Sequence, residues 1–279
     1  MAATPCPILL VTSSVTGNFS KVYEAMGHGG LDAVNTPVLG PDGKVQDAEG
    51  LLARLAKLAR AKEAVASTGL FTALSTKAAA PPPAKPETGT SLPPVLALGA
   101  STGGPDALAR ILHVLPATLP AAVIVVQHIG VDFAPSLLTW LQGQTSLRLK
   151  AAAEGVELRP GEVLLAATND HLVVRSDRRL GFTAEPVDYP YRPSVDALFY
   201  SLAAHWPRPG VAVLLTGMGA DGAKGLLKLR QSGWFTIAQD QATCVVYGMP
   251  QAAALLDAAC RIVPLPEIAA VIQAELPRR

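Results

Sequence analysis

Cysteine is scarce. Cys6, Cys244 and Cys260 are scattered over a chain of 279 residues. An odd, isolated set builds neither a disulfide framework nor a thiolate metal cluster, which points to a reducing compartment and a cytoplasmic protein. Basic blocks are also missing, and the formal net charge is +1. That excludes nucleic acid and an anionic membrane surface as main partners. No apolar run approaches the ~18 residues of a membrane-crossing helix. The N-terminus lacks a basic stretch, and Ile8 to Val11 is too short for the core of a secretory signal. No Cys/His cluster has ligand spacing, so neither a metal nor an organic cofactor is expected. What the chain does have is aliphatic mass. At 49% hydrophobic it can bury one sizeable core with something smaller attached.

The most informative stretch is Val95-Leu-Ala-Leu-Gly-Ala-Ser101-Thr-Gly-Gly-Pro105. Val95 to Ala100 spells a buried strand, a serine follows among glycines, and Pro105 opens the helical run Asp106 to Leu112. Strand, tight turn with serine, helix is the setting in which a G-x-S-x-G match carries meaning. The turn lifts the hydroxyl above the carboxyl edge of a sheet, and the helix N-terminus offers free N–H groups to an oxyanion. The same turn could instead hold a phosphate. A dinucleotide fingerprint is disfavoured, because Ser101 stands where the second glycine of G-x-G-x-x-G belongs and no acidic ribose partner occurs near position 120.

Downstream, short apolar runs alternate with helical ones. Ala122–Val126, Val211–Leu215 and Trp234–Ala238 read as buried strands, with shorter ones at Arg148–Ala152 and Arg261–Val263. Helices are expected over Phe133–Gln142, Val195–Ala204, Ala223–Gln231 and Pro250–Ala259, with a terminal helix through Ala274. Glu162–Ala166, His171–Val174 and Leu180–Thr183 are split by turn residues and suggest an antiparallel excursion. The fold class is α/β: a mostly parallel, doubly wound sheet with an antiparallel β excursion, spanning residues 94–279.

Ahead of it, residues 1–66 hold two βα units. Strands at Ile8–Val11 and Ala33–Asn35 end in Thr12-Ser13 and Thr36-Pro37. A short helix is expected over Lys21–Gly27, and a longer one over Glu49–Ala66, with Leu51, Leu52, Leu55 and Leu58 on one face. This segment resembles the second half of a response-regulator receiver domain, though Thr36 stands where a receiver usually has lysine. The resemblance implies that the phosphate-accepting aspartate belongs to the other half, so acetyl phosphate should not alter activity. Residues 67–93, with Pro81-Pro-Pro83, read as a Pro/Ala-rich linker.

A serine nucleophile needs a base, and the base needs an orienting carboxylate. His128 follows an apolar parallel strand at its carboxyl end, where sites gather in open α/β sheets. His28, His113, His171 and His205 do not. Asp221, among Gly217, Gly219 and Gly222, stands at the corresponding edge of a third strand. It could equally cap the next helix. Asp240 and Asp196 are rival carboxylates. A parallel sheet would bring Ser101, His128 and Asp221 to one edge. The chain order Ser, His, Asp differs from that of α/β-hydrolases, which argues against that fold and not against the chemistry.

Five segments then carry a family resemblance: Gly99-Ala-Ser-Thr-Gly-Gly104, Val126-Gln-His-Ile129, Arg192-Pro-Ser-Val-Asp196, Leu215-Thr-Gly-Met-Gly-Ala-Asp-Gly222 and Gln239-Asp-Gln-Ala-Thr-Cys-Val-Val-Tyr-Gly-Met-Pro250. Together they resemble the CheB family of protein-glutamate methylesterases, and the receiver-like half is most similar to its WspF-like branch. The resemblance implies Ser101 as nucleophile, His128 as general base and Asp221 as its orienter. It also implies an oxyanion site lined by Thr102 and by backbone near Met218. The implied substrate is a glutamate γ-methyl ester on a methyl-accepting chemotaxis receptor, hydrolysed with release of methanol in receptor adaptation. Glutamine deamidation would use the same site. A histidine kinase of the same pathway is a further implied partner. One departure is Gln241, where an acidic residue is common. The competing functions are a catalytically silent receptor-docking adaptor and a nucleotide-binding module.

Overall fold

The computed structural model describes residues 8–56, apart from 15, 16, 18–20, 23, 24, 26–29, 47 and 53, together with residues 92–276. The chain divides into two compact units, Met1–Ser75 and Thr76–Arg279. The expected linker lies outside the described residues except for Leu92 and Pro93, as do His28 and the later part of the helix expected over 49–66.

In the first unit, β1 (Ile8–Thr12) pairs parallel with β2 (Gly30–Asn35). The second strand thus begins three residues earlier than its apolar run suggested. Lys21, Val22 and Ala25 between the strands are helical, as are residues 48–52 and 54–56. A small antiparallel hairpin, β3 (Val38–Leu39) with β4 (Val45–Gln46), was not foreseen. Its turn is closed by Gly43, at φ 73°, and by the Asp42 carboxylate accepting from the Lys44 N–H. Leu52 and Leu55 are exposed, so the leucine stripe is only partly buried within the chain.

The second unit is built on a seven-stranded sheet in which every pairing is parallel. Its strands are β5 (Val95–Ala100), β6 (Ala122–Gln127), β7 (Arg148–Ala151), β8 (Glu162–Leu165), β11 (Val211–Leu214), β12 (Phe235–Gln239) and β13 (Arg261–Val263). Their order across the sheet is β13-β12-β11-β5-β6-β8-β7. β9 (His171–Val174) and β10 (Leu180–Thr183) form a separate antiparallel hairpin. Glu162–Leu165 therefore leaves the excursion to which its sequence assigned it. It pairs with β6 and β7, and Val163, Leu164 and Leu165 are buried there.

Helices cover both faces, which is why β5, β6 and β11 are buried at every position. On one side α1 (Gly104–Val114) packs with α2 (Ala134–Gln142) and α6 (Leu265–Glu275). On the other, α3 (Val195–His205) packs with α4 (Ala223–Gln231), and α4 with α5 (Met249–Leu255). α5 stops short of the expected Ala259, because the chain turns at Leu256 and Asp257 takes φ 51°. The helices α3 and α4 approach closely at Gly225, where an added Cβ would lie 2.6 Å from the Phe199 Cβ. Phe199, Leu198 and Leu202 on α3 are fully buried, each stabilising the unit by about 1.5–3 kcal/mol.

Chain direction across the sheet reverses between β5 and β11. β5 runs on to β6 on one side, whereas β11 returns on the other side. Such a reversal opens a crevice at the carboxyl ends of the two strands. Among the described residues no helix is long and apolar enough to cross a membrane.

Candidate functional site

Ser101 lies one residue past β5, in the crevice. Its N–H donates to the Thr216 carbonyl beyond β11 (3.0 Å), and its carbonyl accepts from the Gly104 N–H (2.8 Å), which closes the turn. Gly103, the N-cap of α1, takes φ 79°, a region glycine enters without strain. An added Cβ there would sit 2.6 Å from the Val245 Cβ. Ser101 is 2% exposed, and its hydroxyl joins none of the hydrogen bonds among the described residues.

His128 is the first residue past β6. Its N–H donates to the Ala100 carbonyl (2.9 Å), which extends the β5–β6 register by one step and sets it beside Ser101. Gln127, 2% exposed, ties the two turns together through Nε2, which donates to the Ser101 carbonyl (2.8 Å) and the His128 carbonyl (3.1 Å).

The imidazole is paired through Nε2 with Asp221 Oδ2 at 2.7 Å, the two side chains being 6% and 7% exposed. The carboxylate accepts three further bonds, from the Ser194 hydroxyl (2.7 Å), the Val195 N–H (2.7 Å) and the Asp196 N–H (3.1 Å). A carboxylate only accepts, so Nε2 carries the proton. Nδ1, buried and without a partner, then bears the lone pair. Burial pushes the Asp221 carboxyl up, but the His128 bond and charge and the donors from Ser194 and Val195 outweigh it and hold it below its ordinary value.

Asp221 does not cap the helix that follows it. The N-cap of α4 is Gly222, at φ 86°, with no side-chain bond. Asp221 instead faces the N-terminus of α3, whose free N–H groups suit an anion. The capping of α4 comes from across the helix pair, where Asp196 Oδ1 accepts the Gly225 N–H at 2.6 Å. Ser194 caps α3, accepting from the Ala197 N–H at 3.3 Å.

Asp196 is therefore no rival to Asp221 for His128; it serves the packing of α3 on α4. Burial pushes its carboxyl up to about 6, against the pull of the Gly225 N–H and with help from the Asp221 charge. A carboxyl with a raised folded value favours the protonated form. Its contribution to stability is complete below about pH 4 and is lost as pH rises through about 6, on the order of 2–3 kcal/mol. Asp221, shifted the other way, loses its contribution only below about pH 4. Between about pH 4 and pH 6 the urea midpoint should fall. Asp196→Asn, which keeps an oxygen for Gly225, should flatten that slope.

Thr102 is half-buried, and its carbonyl accepts from the Thr216 hydroxyl at 2.9 Å. Gly217 passes over the serine so closely that an added Cβ would lie 2.6 Å from Ser101 Cβ. The next N–H, that of Met218, makes no hydrogen bond among the described residues. Asp240 is apart from this group and holds its own turn, accepting from the Thr243 N–H and hydroxyl. Burial, then the Asp240 charge, push the Cys244 thiol up to about 12, which removes it as a rival nucleophile. No group of three or more His, Cys, Asp or Glu side chains among the described residues could hold a metal ion.

Four supporting residues escaped the sequence reading: Gln127, Ser194, His171 and Tyr191. His171 is fully buried and accepts the Ser194 N–H at Nδ1 (3.0 Å), so its Nε2 donates to the Pro186 carbonyl (3.1 Å). Tyr191 lies flat over His128, with ring centroids 4.3 Å apart and planes at 4°. The motif Arg192-Pro-Ser-Val-Asp196 was the signal within reach for Ser194. Val126-Gln-His-Ile129 was the corresponding signal for Gln127, and nothing local marked His171 or Tyr191 for these roles.

Comparison with known proteins gives a consistent pattern. The model of the CheB methylesterase family matches residues 96–272. The protein-glutamate methylesterase/protein-glutamine glutaminase 4 of Burkholderia thailandensis is 47% identical over 269 residues, covering 96% of this chain and 76% of its own length. The corresponding protein 1 of Bordetella avium is 45% identical over 273 residues, covering 96% and 75%. The crystal structure of the Thermotoga maritima CheB methylesterase catalytic domain superimposes with a TM-score of 0.62 at 34% identity, covering 66% of this chain and 98% of that domain.

Proposed function

Since the chain belongs to the CheB methylesterase family, we propose that it hydrolyses glutamate γ-methyl esters on the cytoplasmic helices of methyl-accepting chemotaxis receptors, with Ser101 as nucleophile, His128 as general base and Asp221 as its orienter. The observation that carries this reading is the wiring of His128: Nε2 is bonded to Asp221, the buried Nδ1 is left without a partner, and the residue's backbone is paired beside the serine turn. A base must be held in one tautomer with its lone pair free, and that is what Asp221 and its donors achieve.

In the proposed sequence Ser101 Oγ attacks the ester carbonyl carbon and its proton passes to His128 Nδ1. Charge collects on the former carbonyl oxygen, within reach of the Met218 N–H. The intermediate collapses, the methoxy oxygen takes the proton from His128, and methanol leaves. Water then attacks the acyl-serine, giving up a proton to Nδ1. That proton returns to Ser101 as the glutamate carboxyl is released. Glutamine follows the same route with ammonia as the leaving group, in keeping with the glutaminase in the relatives' names.

For residues 1–66, the parallel pairing of β1 with β2 supports the receiver-like reading, and residues 94–279 are proposed as the catalytic domain. A fluorophosphonate probe and a methanol assay on methylated receptor test the function together. Labelling at Ser101 with methanol release is the expected result. Labelling without methanol points to another ester, and no labelling at all leaves the silent adaptor.

A further inference from the structure

The bond between Nε2 and Asp221 restrains one edge of the His128 ring, and rotation about the Cα–Cβ and Cβ–Cγ bonds must be restrained as well. A second constraint comes from Tyr191, whose ring is parallel to the imidazole within 4° at 4.3 Å between centroids. We propose that Tyr191 is a positioning residue for the base, its aromatic face holding the imidazole in the plane that aims Nδ1 at Ser101 and favouring the imidazolium that forms as the proton transfers. The proposal rests on the reading of His128 as the base.

Three features make the stack a built one. The loop that carries Tyr191 is anchored on both sides through His171, which meets Tyr189 edge-on at 5.6 Å and accepts the Ser194 N–H. Ser194 is in turn bonded to Asp221, so the stacking ring and the orienting carboxylate belong to one connected frame. Opposite, Gly219 leaves room for the phenol, because an added Cβ there would lie 3.0 Å from the Tyr191 hydroxyl oxygen and 3.5 Å from Cε2. Burial, followed by the Asp221 charge, raises the phenol above its ordinary value, so the ring stays neutral. A neutral aromatic face attracts a cation beside it, while an aliphatic side chain of similar bulk does not.

The test compares Tyr191→Phe, which keeps the face and loses the hydroxyl, with Tyr191→Leu, which loses the face. kcat and KM for methyl-ester hydrolysis are measured alongside the rate of fluorophosphonate labelling at Ser101, with thermal unfolding as the folding control. Misaligning a reacting group by about 1 Å can cost on the order of 100-fold. The expected result is a phenylalanine variant within about twofold of the parent. The leucine variant should lose about 10- to 100-fold in kcat and in labelling rate, with KM within about twofold. Tyr191→Met replaces the leucine variant if that one melts below the assay temperature. Equal rates for the phenylalanine and aliphatic variants overturn the proposal, as does a loss confined to KM or a phenylalanine variant as impaired as leucine. A parent protein that labels without releasing methanol overturns only the substrate reading, and the labelling rates still decide on Tyr191. A parent that does not label overturns both.

Discussion

Asp221→Asn should lower methanol release by about 10⁴-fold, and Ser101→Ala or His128→Ala by about 10⁴- to 10⁶-fold. The asparagine result follows from the bonds already described. All four partners of the Asp221 carboxylate are donors: Ser194 and Asp196 on one oxygen, His128 and Val195 on the other. An amide presents one oxygen and one NH₂, so in either orientation two donors face a donor. With the NH₂ toward His128, the imidazole accepts at Nε2 and carries its proton on Nδ1, where it can no longer take one from Ser101. With the NH₂ toward Ser194, the tautomer and the Val195 N–H bond survive, the Ser194 hydroxyl can turn to accept, and the Asp196 N–H is the one donor left facing a donor. Stopped-time methanol assays separate the two orientations, since only the first takes the lone pair away from Nδ1. Near-wild-type turnover by a folded Ser101→Ala protein would defeat the nucleophile assignment.

Gly217→Ala should cost about 10²- to 10³-fold in kcat, as large as the loss of an oxyanion donor elsewhere. The methyl group would arrive 2.3 Å from the Met249 sulfur and 2.6 Å from Ser101 Cβ. Met249 is fully buried at the start of α5 and cannot swing away cheaply. The strand end must therefore lift, and the Met218 N–H lifts with it. Gly217 is further pinned from the other side, its carbonyl accepting from the Gly248 (3.1 Å) and Met249 (2.9 Å) N–H groups. A variant that keeps its kcat with only a lowered melting temperature would show that the loop yields on the Met249 side, away from the serine.

The residues legible in the sequence share a local signature. Ser101, His128 and Asp221 each follow a fully apolar strand, and period and composition within a few residues suffice to find such strands. The parts that escaped depend on partners remote in the chain. Glu162–Leu165 shows only a short apolar run with turns on both sides, and its place in the sheet is decided by β6, some forty residues earlier. Tyr191 sits in a stretch with no periodicity, and its meaning comes from His128. Asp221 beside a glycine and before a helix has the local look of a cap. Only the α3 N-terminus, brought in by tertiary packing, shows why its carboxylate turns the other way. The helix expected to reach Ala259 stops at Leu255 because the chain reverses at Asp257, where composition alone still favours a helix.

The strand order has a consequence for how the protein reaches its native state. Ser101 depends on β11 for its backbone partner, yet Leu96 of β5 pairs with Val211, on the far side of the whole β6–β10 excursion. Closing so long a loop is entropically costly and slow, and parallel pairings at this separation raise the contact order. Helices and the adjacent β5–β6 pair can form first, but the serine turn gains its Thr216 contact, and His128 its Asp221, only when β11 docks. Regained turnover is then a reporter of the last long-range closure in refolding, lagging behind recovery of helical signal.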